Sequence, residues 1–200
     1  DKPMIYYPIE TLVNAQIDDV LLVTGGNNAG DFLRLIGNGK GLHLRHIEYT
    51  YQEGEGGIAD ALGLAEEFAD NGKICVVLGD NIIQNSIAGA VRAFMDQPAG
   101  AKIILKEVPD PERFGVPVFA GDRIVAIEEK PLVPKSPYAV IGVYMYDRRV
   151  FDIIRTLKPS QRGELEITDV NNAYIAEGSL THEILSGWWT DAGTFASLRT

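Results

Sequence analysis

The chain has 200 residues, 46% of them hydrophobic, with 18 basic against 28 acidic side chains and a net charge of -10. That length suits one domain, or one domain with a small lobe, able to bury a full core. The acidic balance argues against a nucleic-acid polymer or a membrane surface as partner, since either calls for a basic patch. A small phosphorylated substrate held by a few local cations stays open.

The single cysteine, Cys75, lies in an apolar run and reads as a reduced core residue, so no disulfide framework exists within the chain. No apolar run approaches the roughly 20 residues of a membrane span. The chain opens on Asp1-Lys2-Pro3-Met4 without an initiator methionine. It reads as a piece of a longer protein, so missing targeting signals carry little weight.

In chain order, Met4, Ile5, Pro8, Ile9, Leu12 and Val13 recur at helical spacing and predict a helix over residues 4–15, with Pro3 suited to its first turn. Val20 to Thr24 is a short apolar strand, followed by the turn-prone Gly25-Gly26-Asn27-Asn28 and a helix at 31–36. Residues 42–51 alternate imperfectly, as a strand does. Gln52-Glu53-Gly54-Glu55-Gly56-Gly57 is a flexible loop that opens a helix over 58–69. A strand at 74–79 and a helix at 86–95 come next. Strands separated by helices indicate βαβ units and a mainly parallel sheet. The second half changes character: strands at 102–108, 116–119, 123–128 and 140–146, helices at 147–157 and 167–176, and a strand at 180–185. Pro131, Pro134 and Pro137 punctuate one exposed loop, an excursion from the sheet rather than a domain boundary.

The run Ile74-Cys75-Val76-Val77-Leu78 ends on Gly79-Asp80-Asn81. A strand end at the rim of an α/β sheet is where such folds bind ligands, and a carboxylate there commonly holds Mg²⁺ against substrate phosphates. Asp191, after Trp188-Trp189-Thr190, is a second carboxylate able to share that metal. The plainer readings are a turn residue for Asp80 and a cap on a helix starting near Phe195 for Asp191.

The Gly54 to Gly57 loop can bring backbone N–H groups to a ligand, with a helix N-terminus behind it. It is neither a P-loop nor a dinucleotide fingerprint. Gln52 is able to read a base edge, or is simply a solvated glutamine. In Glu128-Glu129-Lys130-Pro131, Lys130 is expected extended before proline, aiming its ammonium at a phosphate, while Glu129 accepts from sugar hydroxyls; a solvated charge run is the alternative. Arg162 suits a bidentate phosphate contact or an ordinary surface position. His43, His46 and His182 show no ligand spacing and are assigned no metal.

Taken together and in order, these segments resemble the glucose-1-phosphate thymidylyltransferases of the sugar nucleotidyltransferase family. The resemblance rests on Asp1-Lys2-Pro3-Met4-Ile5-Tyr6-Tyr7-Pro8, Gly57-Ile58-Ala59-Asp60-Ala61, Leu78-Gly79-Asp80-Asn81, Asp110-Pro111-Glu112-Arg113-Phe114-Gly115-Val116, Glu128-Glu129-Lys130-Pro131, Arg162-Gly163-Glu164-Leu165-Glu166-Ile167-Thr168 and Trp189-Thr190-Asp191-Ala192-Gly193-Thr194. It covers essentially the whole chain. It implies a Rossmann-like α/β fold with a mixed, mainly parallel sheet flanked by helices, the nucleotide-diphospho-sugar transferase fold. It also implies attack by glucose 1-phosphate on dTTP to give dTDP-glucose and pyrophosphate.

By the same resemblance, Asp80 and Asp191 bind Mg²⁺, and Asp80, Lys130 and Asp191 form the catalytic set. Gln52 and Gly57 hold the thymine. Gly115, Glu129 and Val140 contact the glucose, and Lys130 and Arg162 its phosphate. A homotetramer in the cytoplasm, feedback by dTDP-rhamnose and service to polysaccharide synthesis are implied as well.

Departures are equally specific. The family's Gly-Thr-Arg-Leu loop on its first strand, and a following lysine, belong upstream of Asp1, and its C-terminal helices belong after Thr200. Gly54-Glu55-Gly56 replaces a more proline-containing loop. Ile141 stands where the family is often polar, which bears on the finer sugar contacts. Uridylyl transfer to a hexose 1-phosphate and a non-catalytic sugar-nucleotide sensor are the competing readings.

Overall fold

The computed structural model describes residues 2–193. Helix α1 (Tyr6–Asn14) buries Pro8, Ile9, Thr11 and Leu12. Strands β1 (Asp19–Gly25) and β2 (His46–Gln52) pair in parallel from Asp19↔His46 to Gly25↔Gln52, linked through α2 (Ala29–Ile36). This is the predicted βαβ unit, but β2 starts later than the alternation suggests. Residues Lys40–Leu42 wind a 3₁₀ turn and His43 takes a left-handed φ of 63°, so the chain cannot extend before His46.

The single helix expected over 58–69 divides into α3 (Ile58–Gly63) and α4 (Glu66–Ala69). Gly63, a poor helix former, sits at the break, and the N–H groups of Leu64 and Ala65 bond three residues back, to Ala61 and Leu62. The short α3 leaves little of the expected helix dipole. Next come β3 (Ile74–Val77), β4 (Asn81–Ile83), α5 (Ala88–Asp96), β5 (Ala101–Glu107), β6 (Gly115–Ala120), β7 (Arg123–Glu129) and β8 (Tyr138–Tyr146). Helices α6 (Val150–Thr156) and α7 (Ile167–Ala176), and strands β9 (Leu180–Ile184) and β10 (Trp189–Asp191), complete the described elements.

Strand β8 is the spine. Every residue after Tyr138 in it is buried, because its two faces each meet a helical layer. Tyr144 and Tyr146 point to a core with Val150, Val170 and Tyr174, while Ile141, Val143 and Met145 point to one with Ile87, Ala90 and Phe94. That is the period-two alternation of a strand, with apolar residues on both sides. A fully buried side chain of this size contributes about 1.5–3 kcal/mol.

Pairing among the described residues is mixed but not mainly parallel. Only β1–β2 and β5–β9 run parallel; β3–β8, β5–β8, β6–β7, β6–β8 and β4–β10 are antiparallel. The second half lacks crossover helices between β6 and β8. Gly121, at φ 62°, with Asp122 closes a two-residue hairpin between β6 and β7, which forces antiparallel neighbours.

Two features position the site. First, β1 and β3 each keep one edge unpaired among the described residues, and both border an apolar slot of about 630 Å³ that also meets Ile9, Leu62 and Phe68. Second, one edge of β8 forks, serving β3 along Val143–Tyr146 and β6 at Val140. In the fork, Leu78 N–H donates to Gly142 O at 2.9 Å and Gly142 N–H donates to Asn81 Oδ1 at 3.0 Å. A Cβ on Gly142 would lie 2.6 Å from Asn81 Nδ2, so only glycine lets the turn after β3 come this close.

Candidate active site

Asp80 stands at the mouth of that fork, between β3 and β4. Strand β10 pairs with β4 so that Asp191 lies opposite Asn81, and Ala192 N–H donates to Asp80 O at 2.8 Å. A Cβ on Gly193 would stand 2.9 Å from Asp191 Oδ1 and 3.1 Å from Asp80 Oδ2. The two carboxylates, 111 residues apart in sequence, therefore converge on one point. Burial pushes the Asp80 carboxyl above its usual range, the Asn81 amide pulls it back, and the charge of Asp191 pushes it up again. Asp191 Oδ1 accepts the Gly193 N–H at 2.8 Å; the helix it was alternatively read as capping lies outside the described residues.

Asn81, which sequence reasoning passed over, organises this corner. Its Oδ1 accepts from Gly142 N–H and, at 2.8 Å, from Trp189 Nε1, while its Nδ2 donates to Asp80 Oδ1 at 2.9 Å. It is only 3% exposed, and each of its amide atoms is used. Three strands, β4, β8 and β10, are thereby tied to the orientation of one carboxylate.

A cavity of about 270 Å³ opens beside Asp80 and Asp191. The sheet register sets its floor: Gly115 pairs with Glu129 on one side and with Val140 on the other. The three residues expected to contact a sugar thus form one row across β7, β6 and β8. Thr168, at the start of α7, donates through Oγ1 to Glu129 Oε2 at 2.5 Å. A Cβ on Gly115 would approach Thr168 Oγ1 to 3.4 Å and Glu129 Oε2 to 3.6 Å. Tyr144 also lines the cavity, with its phenol pushed up by burial and by the Glu129 and Asp80 charges, so it stays protonated.

Two cations line this cavity in ways the sequence did not convey. Lys130 is not extended: its φ is 45°, in the left-handed region. The local rule for a residue before proline loses to the ladder, because Lys130 N–H donates to Phe114 O at 3.0 Å where β7 ends against β6. Arg162 is caged by carboxylates. Its Nη2 lies 2.9 Å from both Glu166 oxygens, 3.4 Å from Glu164 and 3.9 Å from Glu129. Arg113 also lines the cavity, anchored to Asp110 at 2.7 Å beside the Phe114 ring.

Gln52 and Gly57 come together at the mouth of the apolar slot, Gln52 Nε2 donating to Gly57 O at 3.1 Å and to Asp60 Oδ2 at 2.7 Å. The loop carrying Arg162 clasps this one: Leu165 N–H donates to Gly56 O at 2.8 Å and Ala59 N–H to Leu165 O at 3.2 Å. Ile58, Leu78 and Glu164 border both the slot and the smaller cavity, so the two spaces adjoin.

Ile141 is fully buried on the opposite face of β8, packed in the cluster with Ile104 and Val143. Its departure from a polar residue is absorbed by the core and does not touch the cavity. His46 meets Glu48 and His182 packs edge-on against Phe119, both away from the carboxylate pair. Among the described residues no cluster of three or more His, Cys, Asp or Glu side chains suits a metal, which leaves the oxygen pair as the arrangement to test. Two hard carboxylates that repel each other across one point fit a cation such as Mg²⁺, which takes the rest of its shell from water and substrate.

Known proteins share this architecture. The profile of the nucleotidyl transferase family matches residues 1–200. The chain is 45% identical to the glucose-1-phosphate thymidylyltransferase of Neisseria meningitidis serogroup A, over 99% of this chain and 70% of that protein. It is 43% identical to the enzyme of the same name from an Actinoplanes species, over 98% of this chain and 65% of that protein. A crystal structure of a Bacillus anthracis protein assigned the same name, in complex with sucrose, superposes with a TM-score of 0.93 at 49% identity, covering 98% of this chain and 80% of that one.

Proposed function

The chain belongs to the nucleotidyl transferase family, and we propose that it transfers thymidylate from dTTP to glucose 1-phosphate, releasing pyrophosphate and dTDP-glucose. The observation that carries this reading is the convergence of Asp80 and Asp191 at the smaller of two adjoining cavities. One cavity presents an amide suited to a base edge, and the other a carboxylate row and cations suited to a sugar phosphate. The names of the relatives support the same substrates.

In this reaction a phosphate oxygen of glucose 1-phosphate forms a bond to the α-phosphorus of dTTP as the bond to the β-phosphate oxygen breaks. The nucleophile is already ionised, so no general base is required. The protein's work is alignment and neutralisation of charge. Asp80 and Asp191 hold Mg²⁺, which when bound offsets the charge of the phosphates. Glu129, oriented by Thr168, accepts from the glucose hydroxyls, with Gly115 and Val140 closing the row. Lys130 and Arg162 take the sugar phosphate, and Arg162 must exchange part of its carboxylate cage for it. Gln52 and Gly57 hold the thymine, with Asp80 near the nucleotide phosphates.

A strand upstream of Asp1 would add between β1 and β3, each of which keeps one edge unpaired among the described residues, since such edges are templates for pairing. Its loop would then reach the nucleotide end of the site. Tetramer formation, dTDP-rhamnose feedback, polysaccharide synthesis and a cytoplasmic site of action rest on the resemblance.

The test is pyrophosphate release by the full-length protein with Mg²⁺ and glucose 1-phosphate, comparing dTTP with UTP and with the Asp80→Asn variant. A rate that favours dTTP and collapses in the variant is expected. Saturable nucleotide-sugar binding without turnover of either nucleotide would leave the sensor reading instead.

A further inference from the structure

Asp60 has no contact role in the proposed reaction, and it lines neither cavity. It stands behind Gln52. Asp60 Oδ2 accepts from Gln52 Nε2 at 2.7 Å, and the same amide nitrogen donates to Gly57 O at 3.1 Å. Both neighbours are acceptors only: one is a backbone carbonyl, the other a carboxylate. If the amide were flipped, Gln52 Oε1 would face two oxygens and neither contact would be a hydrogen bond. The orientation of Gln52 is therefore fixed by chemistry. Its NH₂ is spent on the protein, and its Oε1, which accepts from none of the described residues, is what the amide has left to offer a ligand.

The surroundings hold Asp60 in that position. A Cβ on Gly56 would fall 2.4 Å from Asp60 Oδ2, so the carboxylate lies directly against the loop backbone. Gly56 O is itself held by Leu165 N–H.

A glutamine free to rotate can read either sense of a pyrimidine edge, because it carries a donor and an acceptor. A glutamine locked with only Oε1 outward needs a donor on the base. Thymine and uracil carry N3–H; cytosine presents a bare N3 acceptor there. We propose that Asp60 is a positioning residue that locks the Gln52 amide and so restricts the nucleotide to pyrimidines bearing N3–H, against cytosine. This rests on the reading of Gln52 as the base contact, and deepens it by naming what sets its polarity.

dUTP and dCTP are the probes, since they share ring size and lack the 5-methyl group, and differ at the edge in question. Their binding to the full-length protein is measured by titration calorimetry, beside turnover with glucose 1-phosphate, for the native chain, Asp60→Asn and Asp60→Ala. Asn is isosteric, which guards against a variant that merely misfolds, and thermal midpoints check both. The native chain is expected to prefer dUTP by at least 100-fold, from the cost of leaving two acceptors face to face. Both variants are expected to lower the dUTP:dCTP ratio at least tenfold while dUTP binding changes less.

A ratio within twofold of native in both variants, or an equal loss for the two nucleotides, overturns the proposal, because a merely structural role weakens both alike. A native chain that binds neither nucleotide overturns it too. Failure of the transferase reading looks different: a native chain that discriminates in binding but releases no pyrophosphate keeps Asp60 in its role and rejects the reaction.

Discussion

Lys130 separates function from stability more cleanly than any other residue at the site. Its φ of 45° is unusual for a side chain with a Cβ, and left-handed backbone costs an L-residue roughly 1–2 kcal/mol. Replacement by glycine removes that cost, while the freer unfolded chain takes back about 0.4–1 kcal/mol. The net gain is roughly 0.5–1 kcal/mol, a rise of about 1–4 °C in Tm for a chain of this size. Lys130→Ala removes the same ammonium but keeps the strained backbone, so it gains nothing. With the ammonium on the sugar phosphate as proposed, both variants are expected to lose a charge-assisted contact of about 1.5–3 kcal/mol, which is about 10- to 150-fold in kcat/KM for glucose 1-phosphate. Calorimetric melting and pyrophosphate release on the three proteins give the answer. If Lys130→Gly melts no higher than Lys130→Ala, the strain argument fails. If either variant keeps native kcat/KM, the ammonium is not on the phosphate.

Gly57→Ala is expected to destabilise by about 2–4 kcal/mol, since φ is 91° and the new Cβ would stand 2.6 Å from Leu165 O. The clasp between the two loops makes it weaken dTTP and glucose 1-phosphate binding together, and loss of one alone would argue against coupling. Asp147 carries the acid limb of stability. Burial raises its carboxyl, but hydrogen bonds from Gly100 N–H, Tyr174 OH and Arg149 Nε outweigh this and lower it overall. A depressed folded value means that its stabilisation is present above the unfolded value of about 3.9 and disappears as pH falls through the folded one. Urea midpoints measured from pH 7 down to pH 3 should fall less steeply in Asp147→Asn than in the native chain, and parallel curves would refute this. Burial pushes the Cys75 thiol up to about 12, leaving about one thiolate in 10⁴ at pH 8. Cys75 is half-buried and lines the apolar slot, so the scarcity of thiolate should make Ellman's reagent label it more slowly in the native protein than after denaturation, and equal rates would contradict the raised value.

Local signals carried part of this architecture. Helix α7 has the bounds that its periodicity predicts, Ile167–Ala176, because its buried face and its flanking glycine agree on one reading. The place of Asp80 just past a strand was legible because the apolar run from Ile74 stops at Gly79. What the sequence hid is register and reciprocity. That Gly115 sits between Glu129 and Val140 depends on which strands pair and where β8 forks, and neither is written in any one segment. Asn81, Thr168 and Asp60 sit inside the motifs yet show no role in the sequence, because a polar residue next to a functional one looks like any other until its partner is seen. Lys130 was misread for the opposite reason. A sound rule about residues before proline met a stronger demand from the ladder bond to Phe114.

These misses share a cause. Each hidden residue acts on a charged or amide group beside it: Asn81 on Asp80, Thr168 on Glu129, Asp60 on Gln52. Each such pair is joined by a hydrogen bond of 2.5–2.9 Å beside a cavity. A site that must align two anionic substrates gains most from side chains already held in place before either arrives. Long-range pairing of this kind therefore belongs to the chemistry of the site as much as to its fold. Asn81 shows it most directly: it ties β4, β8 and β10 to one carboxylate, so an Asn81→Ala change should disturb sheet pairing and metal binding in the same protein.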